Sequence, residues 1–234
     1  MRSYLTLFLF SLLLGLLFTR PMMRLGLLIG AVDRTKLPVV PRSGGLAVVL
    51  ATLASVLVFA AAFTPAGAVI FHPTPQIAAT YLGALAIFVL GVADDIRPLS
   101  AKPKFAAEIL IAATLYYAGL RASSVWLPFG IMQLGNVLGL VFTVVWIVGI
   151  TNAFNLLDGI DGAAGGAAIF ALLALFVTAV TLDKPLVAFL TVALAGAALG
   201  FLPANFPPAR VYLGDAGALL LGFMLASANA PHTR

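Results

Sequence analysis

Thr151-Asn152-Ala153-Phe154-Asn155-Leu156-Leu157-Asp158-Gly159-Ile160-Asp161-Gly162 sets two asparagines, two aspartates and two glycines between long apolar runs. Residues 139–150 before it are apolar apart from Thr143, and residues 163–180 after it are nearly so. Asn152, Asn155, Asp158 and Asp161 recur every third residue, so neighbouring pairs share a helix face. Each step of three falls about 60° short of a full turn, so all four cannot share one face of a straight helix. Gly159 and Gly162 mark the point where a helix ends and the backbone curls. An oxygen-rich set without sulfur or imidazole suits a hard cation such as Mg²⁺, with phosphates carried on it. The competing reading is a solvated turn, because Asn, Asp and Gly are also turn formers.

The flanking runs decide the fold class. The chain has 234 residues, of which 62% are hydrophobic and 9% charged, with a mean hydropathy of +1.14. A soluble domain carries about 25% charged residues, so the chain reads as an all-α integral membrane protein. Zero cysteines exclude disulfides, thiolate metal sites and cysteine nucleophiles. The two histidines, His72 and His232, have no neighbour at zinc-ligand spacing. The net charge of +5 is spread between apolar spans, where it fixes topology and meets anionic headgroups rather than nucleic acid.

Apolar runs lie at about 4–18, 45–63, 77–93, 105–120, 136–150, 163–182, 185–203 and 217–230. Each is near the ~17–25 residues that span a bilayer, the first and last on the short side. Backbone groups in lipid must bond internally, so these are helices. The expected architecture is a single domain, 1–234, a bundle of about eight transmembrane helices. Residues 4–18 resemble a signal-peptide core, but Thr19-Arg20-Pro21 is no small-residue cleavage site.

Orientation follows from Lys and Arg on alternate loops. One set holds Arg20, Arg24, Arg34, Lys36, Arg42, Arg97, Lys102, Lys104 and Arg210; the other holds Arg2, Arg121, Lys184 and Arg234. The first set is placed in the cytoplasm, with both termini outside. Asp33, Asp94, Asp95, Asp158, Asp161 and Asp215 then all fall on the cytoplasmic side, with Asp183 outside and Glu108 within a span. Orientation used cations only, so the clustering of aspartates independently points to one site. An ion path is a rival reading, but transport sites lie near the bilayer midplane.

Three further loops carry chemistry. Asp33 to Gly45 is a turn rich in Pro and Gly that delivers basic groups to the membrane face. Asp94-Asp95 at a helix end repel each other unless a cation sits beside them, and Lys102 and Lys104 are suited to phosphate as point charges or to anchoring. Gly214-Asp215-Ala216-Gly217 lets backbone approach a ligand, and Asp215 alone would serve as a helix N-cap. Trp126-Leu127-Pro128-Phe129-Gly130 reads as an interfacial aromatic turn, and Glu108 carries no assigned role.

Together these stretches resemble the polyprenyl-phosphate N-acetylhexosamine-1-phosphate transferases, the MraY/WecA-like family. The resemblance rests on Asp94-Asp95 followed by Leu99-Ser100-Ala101-Lys102-Pro103-Lys104, on Asn152 to Gly162, and on Pro208-Ala209-Arg210-Val211-Tyr212-Leu213-Gly214-Asp215-Ala216-Gly217, in that order. It implies transfer of N-acetylhexosamine-1-phosphate from a UDP-sugar to a polyprenyl (undecaprenyl) phosphate at the cytoplasmic face of a bacterial inner membrane. UMP is released, in cell-envelope polysaccharide or peptidoglycan synthesis. It implies Mg²⁺ on Asn155 and Asp215, with Mn²⁺ as a substitute. Asp94 and Asp95 would be catalytic, and Asn152, Asp158, Asp161, Lys102 and Lys104 would bind substrate. The implied partners are a UDP-N-acetylhexosamine, the lipid phosphate and, as an open alternative, a second copy in a homodimer. The family's histidine-rich loop and last helices are expected to be missing, and His232 does not replace them. An inactive homologue that binds lipid phosphate or a partner is the alternative.

Overall fold

The computed structural model describes residues 2–35, 38–62, 70–128 and 130–228. Lys36, Phe129, the last residue of the second apolar run, and the end of the eighth run with His232 and Arg234 lie outside them. Eight helices run through the described residues: α1 (Arg2–Ile29), α2 (Gly44–Ala62), α3 (Pro75–Ile96), α4 (Ala101–Tyr117), α5 (Asn136–Leu157), α6 (Ala163–Thr181), α7 (Pro185–Asn205) and α8 (Gly214–Ala228). Each apolar run of the sequence holds one of them. All but α4 and α8 are long and apolar enough to cross a membrane, and the protein is an all-α polytopic membrane protein.

One boundary departs from expectation. The first span reads as 4–18 in sequence, yet α1 continues through Arg20 and Pro21 to Ile29. Proline removes one helical hydrogen bond, which membrane helices tolerate, and Met22, Met23 and Leu25 to Ile29 carry on the apolar pattern. Gly30, with φ +78°, ends the helix in the left-handed conformation that glycine alone enters at no cost. The first loop is therefore short. Within it β1 (Val32–Asp33) pairs antiparallel with β2 (Val40–Pro41).

Helix α8 is the axis of the bundle. Twelve of its fifteen residues are buried, and it packs against α2, α3, α5 and α6. A helix that is apolar all round belongs inside. Small residues let the neighbours come close, as membrane helices require when lipid is as apolar as the interface. A Cβ on Gly91 of α3 would lie 2.4 Å from Ala216 Cα, and one on Gly222 would lie 2.7 Å from Thr151 Cα. On the flank, Gly196 and Gly200 of α7 approach the Phe8 and Leu12 carbonyls of α1 in the same way.

Of the stretch read as an aromatic turn, Trp126 and Leu127 end β3 (Ser124–Leu127) and Gly130 begins β4 (Gly130–Gln133), and the two strands pair antiparallel. They lie between α4 and α5, at the end of the bundle opposite to the aspartates. The end of α3, the start of α4, the end of α5, the start of α6 and the start of α8 all meet at one end.

Candidate active site at the start of helix α8

The first N–H groups of a helix have no partner inside it and carry its positive dipole end. In α8 those groups are satisfied by carboxylates from two other helices. Asp95, in the last turn of α3, accepts from Asp215 N–H on Oδ1 and from Ala216 N–H on Oδ2, both at 2.9 Å. Asp158, the residue that closes α5, accepts from Gly214 N–H at 2.8 Å. Asp161, in the turn that the two glycines form, accepts from Ala209 N–H at 3.0 Å. Gly214 has φ +74°, and a Cβ there would strike the Arg42 carbonyl at 2.5 Å and the Asp95 carboxylate at 2.7 Å. Only glycine fits.

The first loop closes the other side. Gly44 N–H and Gly45 N–H donate to the carbonyls of Tyr212 and Leu213, at 2.9 Å and 2.7 Å, and Tyr212 N–H donates to Pro41. The Arg42 guanidinium lies 3.8 Å from Asp33. This backbone zipper was invisible in composition, which marks the loop only as basic and turn-rich.

The adjacent pair Asp94-Asp95 separates in space, because consecutive helical residues point about 100° apart. Asp95 is 6% exposed, with both oxygens on backbone. Asp94 instead accepts Leu99 N–H on Oδ1 at 2.5 Å and the Lys104 ammonium on Oδ2 at 2.8 Å. Lys104 Nζ also contacts the Asp215 carboxylate, to which Asn155 donates through Nδ2 at 3.3 Å. So Asp94, Lys104, Asn155 and Asp215 form one cluster drawn from α3, α4, α5 and α8. The expectation that Asp215 caps α8 is corrected here: it lies inside the first turn, and Asp95 and Asp158 do the capping. Asn152 lies one turn deeper on α5 and donates to Glu108 of α4. Lys102 is exposed at the start of α4, outside the cluster.

Asp158 caps the end of α5, clear of its span. Burial pushes its carboxyl up to about 7, and the Asp215 charge adds to that, against the backbone amides of Gly214 and Leu213 and the Arg42 charge.

The donor set fits a hard divalent cation. Among the described residues no group of three or more His, Asp or Glu converges, so a closed protein cage is absent. The Asp215 carboxylate and the amide oxygen of Asn155 suit Mg²⁺, which keeps waters and takes further oxygens from phosphate. That the Asp94 and Asp215 carboxylates share the Lys104 ammonium shows the demand for positive charge between them. The carboxylates gather at one end of the bundle rather than mid-span. A separate cavity of about 530 Å³, between the starts of α3 and α7 and the end of α8, contains none of them.

Comparison with known proteins gives the family of the chain. The profile of glycosyl transferase family 4 matches residues 77–230, which takes in α3 to α8 and every residue of the cluster. The chain belongs to glycosyl transferase family 4. Within that family it is similar to a probable undecaprenyl-phosphate N-acetylglucosaminyl 1-phosphate transferase of Bacillus subtilis (strain 168). The two are 37% identical over 226 residues, 94% of this chain and 60% of the relative. A decaprenyl-phosphate N-acetylglucosaminephosphotransferase of Mycobacterium leprae is 36% identical over 200 residues, 81% of this chain and 50% of that protein. A phospho-N-acetylmuramoyl-pentapeptide-transferase of Staphylococcus epidermidis is 28% identical over 153 residues, 62% and 48% of the two chains. This family 4 chain thus spans between about half and three-fifths of the length of the curated relatives it matches.

Glu108 is the functional candidate that sequence reasoning passed over. A lone carboxylate one turn into an apolar run gives no signal of its partner. The available clue was its i, i+4 relation to Lys104.

Proposed function

We propose that the chain transfers N-acetylhexosamine 1-phosphate from a UDP-sugar to a polyprenyl phosphate, releasing UMP. The reaction takes place at the cytoplasmic face of a bacterial inner membrane. The observation that carries the reading is the cluster of Asp94, Lys104, Asn155 and Asp215 at the start of α8. Phosphoryl transfer asks a protein mostly for positioning and for neutralisation of charge. The names of the relatives supply the class of acceptor and sugar, and the excess of Lys and Arg on this set of loops supplies the side.

A phosphate oxygen of the lipid attacks the β-phosphorus of the UDP-sugar. The bond from that phosphorus to the bridging oxygen breaks, and UMP leaves with the oxygen. Asp215 and Asn155 would hold Mg²⁺, or Mn²⁺ in its place. Such a cation supplies charge neutralisation on the diphosphate. Lys104, shared by two carboxylates, is within reach to exchange one of them for a phosphate oxygen. Asp94 orients the acceptor phosphate, which is already ionised near neutral pH and needs little help from a base. Lys102 meets phosphate at the rim, and Asn152 contacts the nucleotide sugar. Asp95, Asp158 and Asp161 act through backbone, by holding the start of α8 and the loop before it.

The test is transfer of labelled sugar phosphate from UDP-GlcNAc to undecaprenyl phosphate by purified protein, with Mg²⁺ or EDTA, beside Asp215→Asn. Mg²⁺-dependent product that Asp215→Asn fails to make is the expected result. Normal Mg²⁺-dependent turnover by Asp215→Asn overturns the metal assignment. Absence of both product and UDP-GlcNAc binding overturns the function.

A further inference from the structure

Lys104 and Glu108 are four residues apart on α4 and share a face, as Asn152 and Asn155 do on α5. The cluster therefore has a second layer, one turn deeper, in which Glu108 meets Asn152. Glu108 is 1% exposed, and its Oε1 has no hydrogen-bond partner among the described residues. Burying a carboxylate is costly, and an apolar side chain would fill the space, so the acid has a use.

That use can be read from Asn152. A primary amide has two N–H donors and one carbonyl acceptor. The Asn152 Nδ2 donates to Glu108 Oε2 and to the Val148 carbonyl, the latter at 2.9 Å. Both donors are spent, and the side chain is only half-buried. What Asn152 offers a ligand is its carbonyl oxygen. Without Glu108 only the Val148 carbonyl would hold that orientation, and the amide could turn over and present N–H instead, because oxygen and nitrogen occupy nearly the same shape.

We infer that Glu108 is a positioning residue that locks the Asn152 amide as an acceptor and so selects a donor substrate bearing an N–H or O–H group at that point. The inference rests on the transferase reading of the same site. On a UDP-N-acetylhexosamine such a group is present on both the nucleotide and the sugar.

The experiment measures kcat and KM for UDP-GlcNAc, KM for undecaprenyl phosphate, and binding of UMP, in wild type, Glu108→Leu, Glu108→Gln, Asn152→Ala and the Glu108→Leu/Asn152→Ala double variant. One neutral hydrogen bond is worth roughly five- to tenfold in affinity. Glu108→Leu raises KM for UDP-GlcNAc by about that factor and leaves kcat and KM for the lipid near wild type. Glu108→Gln, which keeps an acceptor for the Asn152 amide, restores the wild-type KM. Glu108→Leu adds nothing once Asn152 is alanine, because it acts through that residue. Loss of UMP binding in step with KM assigns the contact to the nucleotide, and intact UMP binding assigns it to the sugar. A folded Glu108→Leu protein with unchanged KM, a Glu108→Gln protein as impaired as the leucine variant, or additive effects in the double variant each overturn the inference. If Glu108→Leu does not fold, Asn152→Ala alone decides: an unchanged KM overturns it. A wild type that neither transfers nor binds UDP-GlcNAc overturns the transferase reading and this inference with it, whereas an active wild type beside indifferent variants overturns this inference alone.

Discussion

Asparagine at position 95 keeps the shape of aspartate and has one acceptor fewer. Asp95 holds two backbone N–H groups of α8, those of Asp215 and Ala216, each at 2.9 Å in a buried setting. After Asp95→Asn one of them faces an amide NH₂ and loses its partner. A hydrogen bond to a charged group contributes about 1.5–3 kcal/mol, and a buried unpaired donor costs about 1–3 kcal/mol more. Removing the charge offsets part of this, because the carboxylate no longer has to be desolvated. A net loss of about 2 kcal/mol follows, which in a chain of this size is a fall of about 4–8 °C in Tm. Asp94→Asn is the control. Asp94 bonds one backbone N–H and shares Lys104 with Asp215, so its loss leaves α8 capped and the ammonium still paired. The assay is thermal unfolding in detergent, followed by circular dichroism, together with sugar-phosphate transfer. Both variants lose transfer, but only Asp95→Asn loses stability to this extent. An Asp95→Asn protein that melts with the wild type, or no lower than Asp94→Asn, refutes the division of labour between the two aspartates.

Two other outcomes follow from the same geometry. The Asp158 carboxyl is pushed up to about 7 from an ordinary 3.8, mainly by burial. The folded state then binds that proton more tightly than the unfolded chain, so its share of stability is present at low pH and is lost as pH rises through about 7. Asp158→Asn, which keeps an acceptor for Gly214 N–H, gains Tm relative to wild type between pH 5 and pH 8 in EDTA; a constant difference contradicts the assignment. In Gly91→Ala the new Cβ lies 2.4 Å from Ala216 Cα and 2.5 Å from its nitrogen, whereas Gly149→Ala meets nothing within 4 Å. Overpacking against backbone costs about 1–3 kcal/mol, so Gly91→Ala melts lower and transfers less, and Gly149→Ala melts with the wild type; equal melting of the two removes the close approach as a constraint on α8.

How far the sequence reaches is clearest where it stops. Apolar run length is a direct consequence of bilayer thickness, so eight runs gave eight helices. The aspartates could be assigned to one end because cation bias and acid clustering are separate signals. The first run, marked at 4–18, stops short of a helix that continues through Pro21 to Ile29, since in lipid the chain has no better partner for its N–H groups than the helix itself. The adjacent acids could not be told apart for another reason. Two neighbouring carboxylates are equivalent in one dimension, and what distinguishes Asp94 from Asp95 is the 100° between them and the helix that each then faces. Glu108 and Asn152 lie 44 residues apart, and no local pattern joins them.

The central position of α8 ties these points together. Its neighbours approach through Gly45, Gly91 and its own Gly222, each of which faces backbone or Cα atoms of another helix at distances that no side chain would permit. Small residues alone would let α8 slide along its axis, because apolar contacts in lipid are weakly directional. The carboxylates of Asp95 and Asp158 remove that freedom, since N–H donors at the start of a helix have fixed directions. Glycine contacts therefore fix how close the helices lie, and the two caps fix their register. Asp215 inherits both constraints through its own backbone, so its carboxylate meets Asn155 and Lys104 without any flexible loop between them. A site held in this way reads one shift in α8 as a loss of the whole cluster. Substitutions at Asp95, Asp158 and Gly91, which bear on the position of α8, consequently belong to the same unit as Asp94 and Asp215.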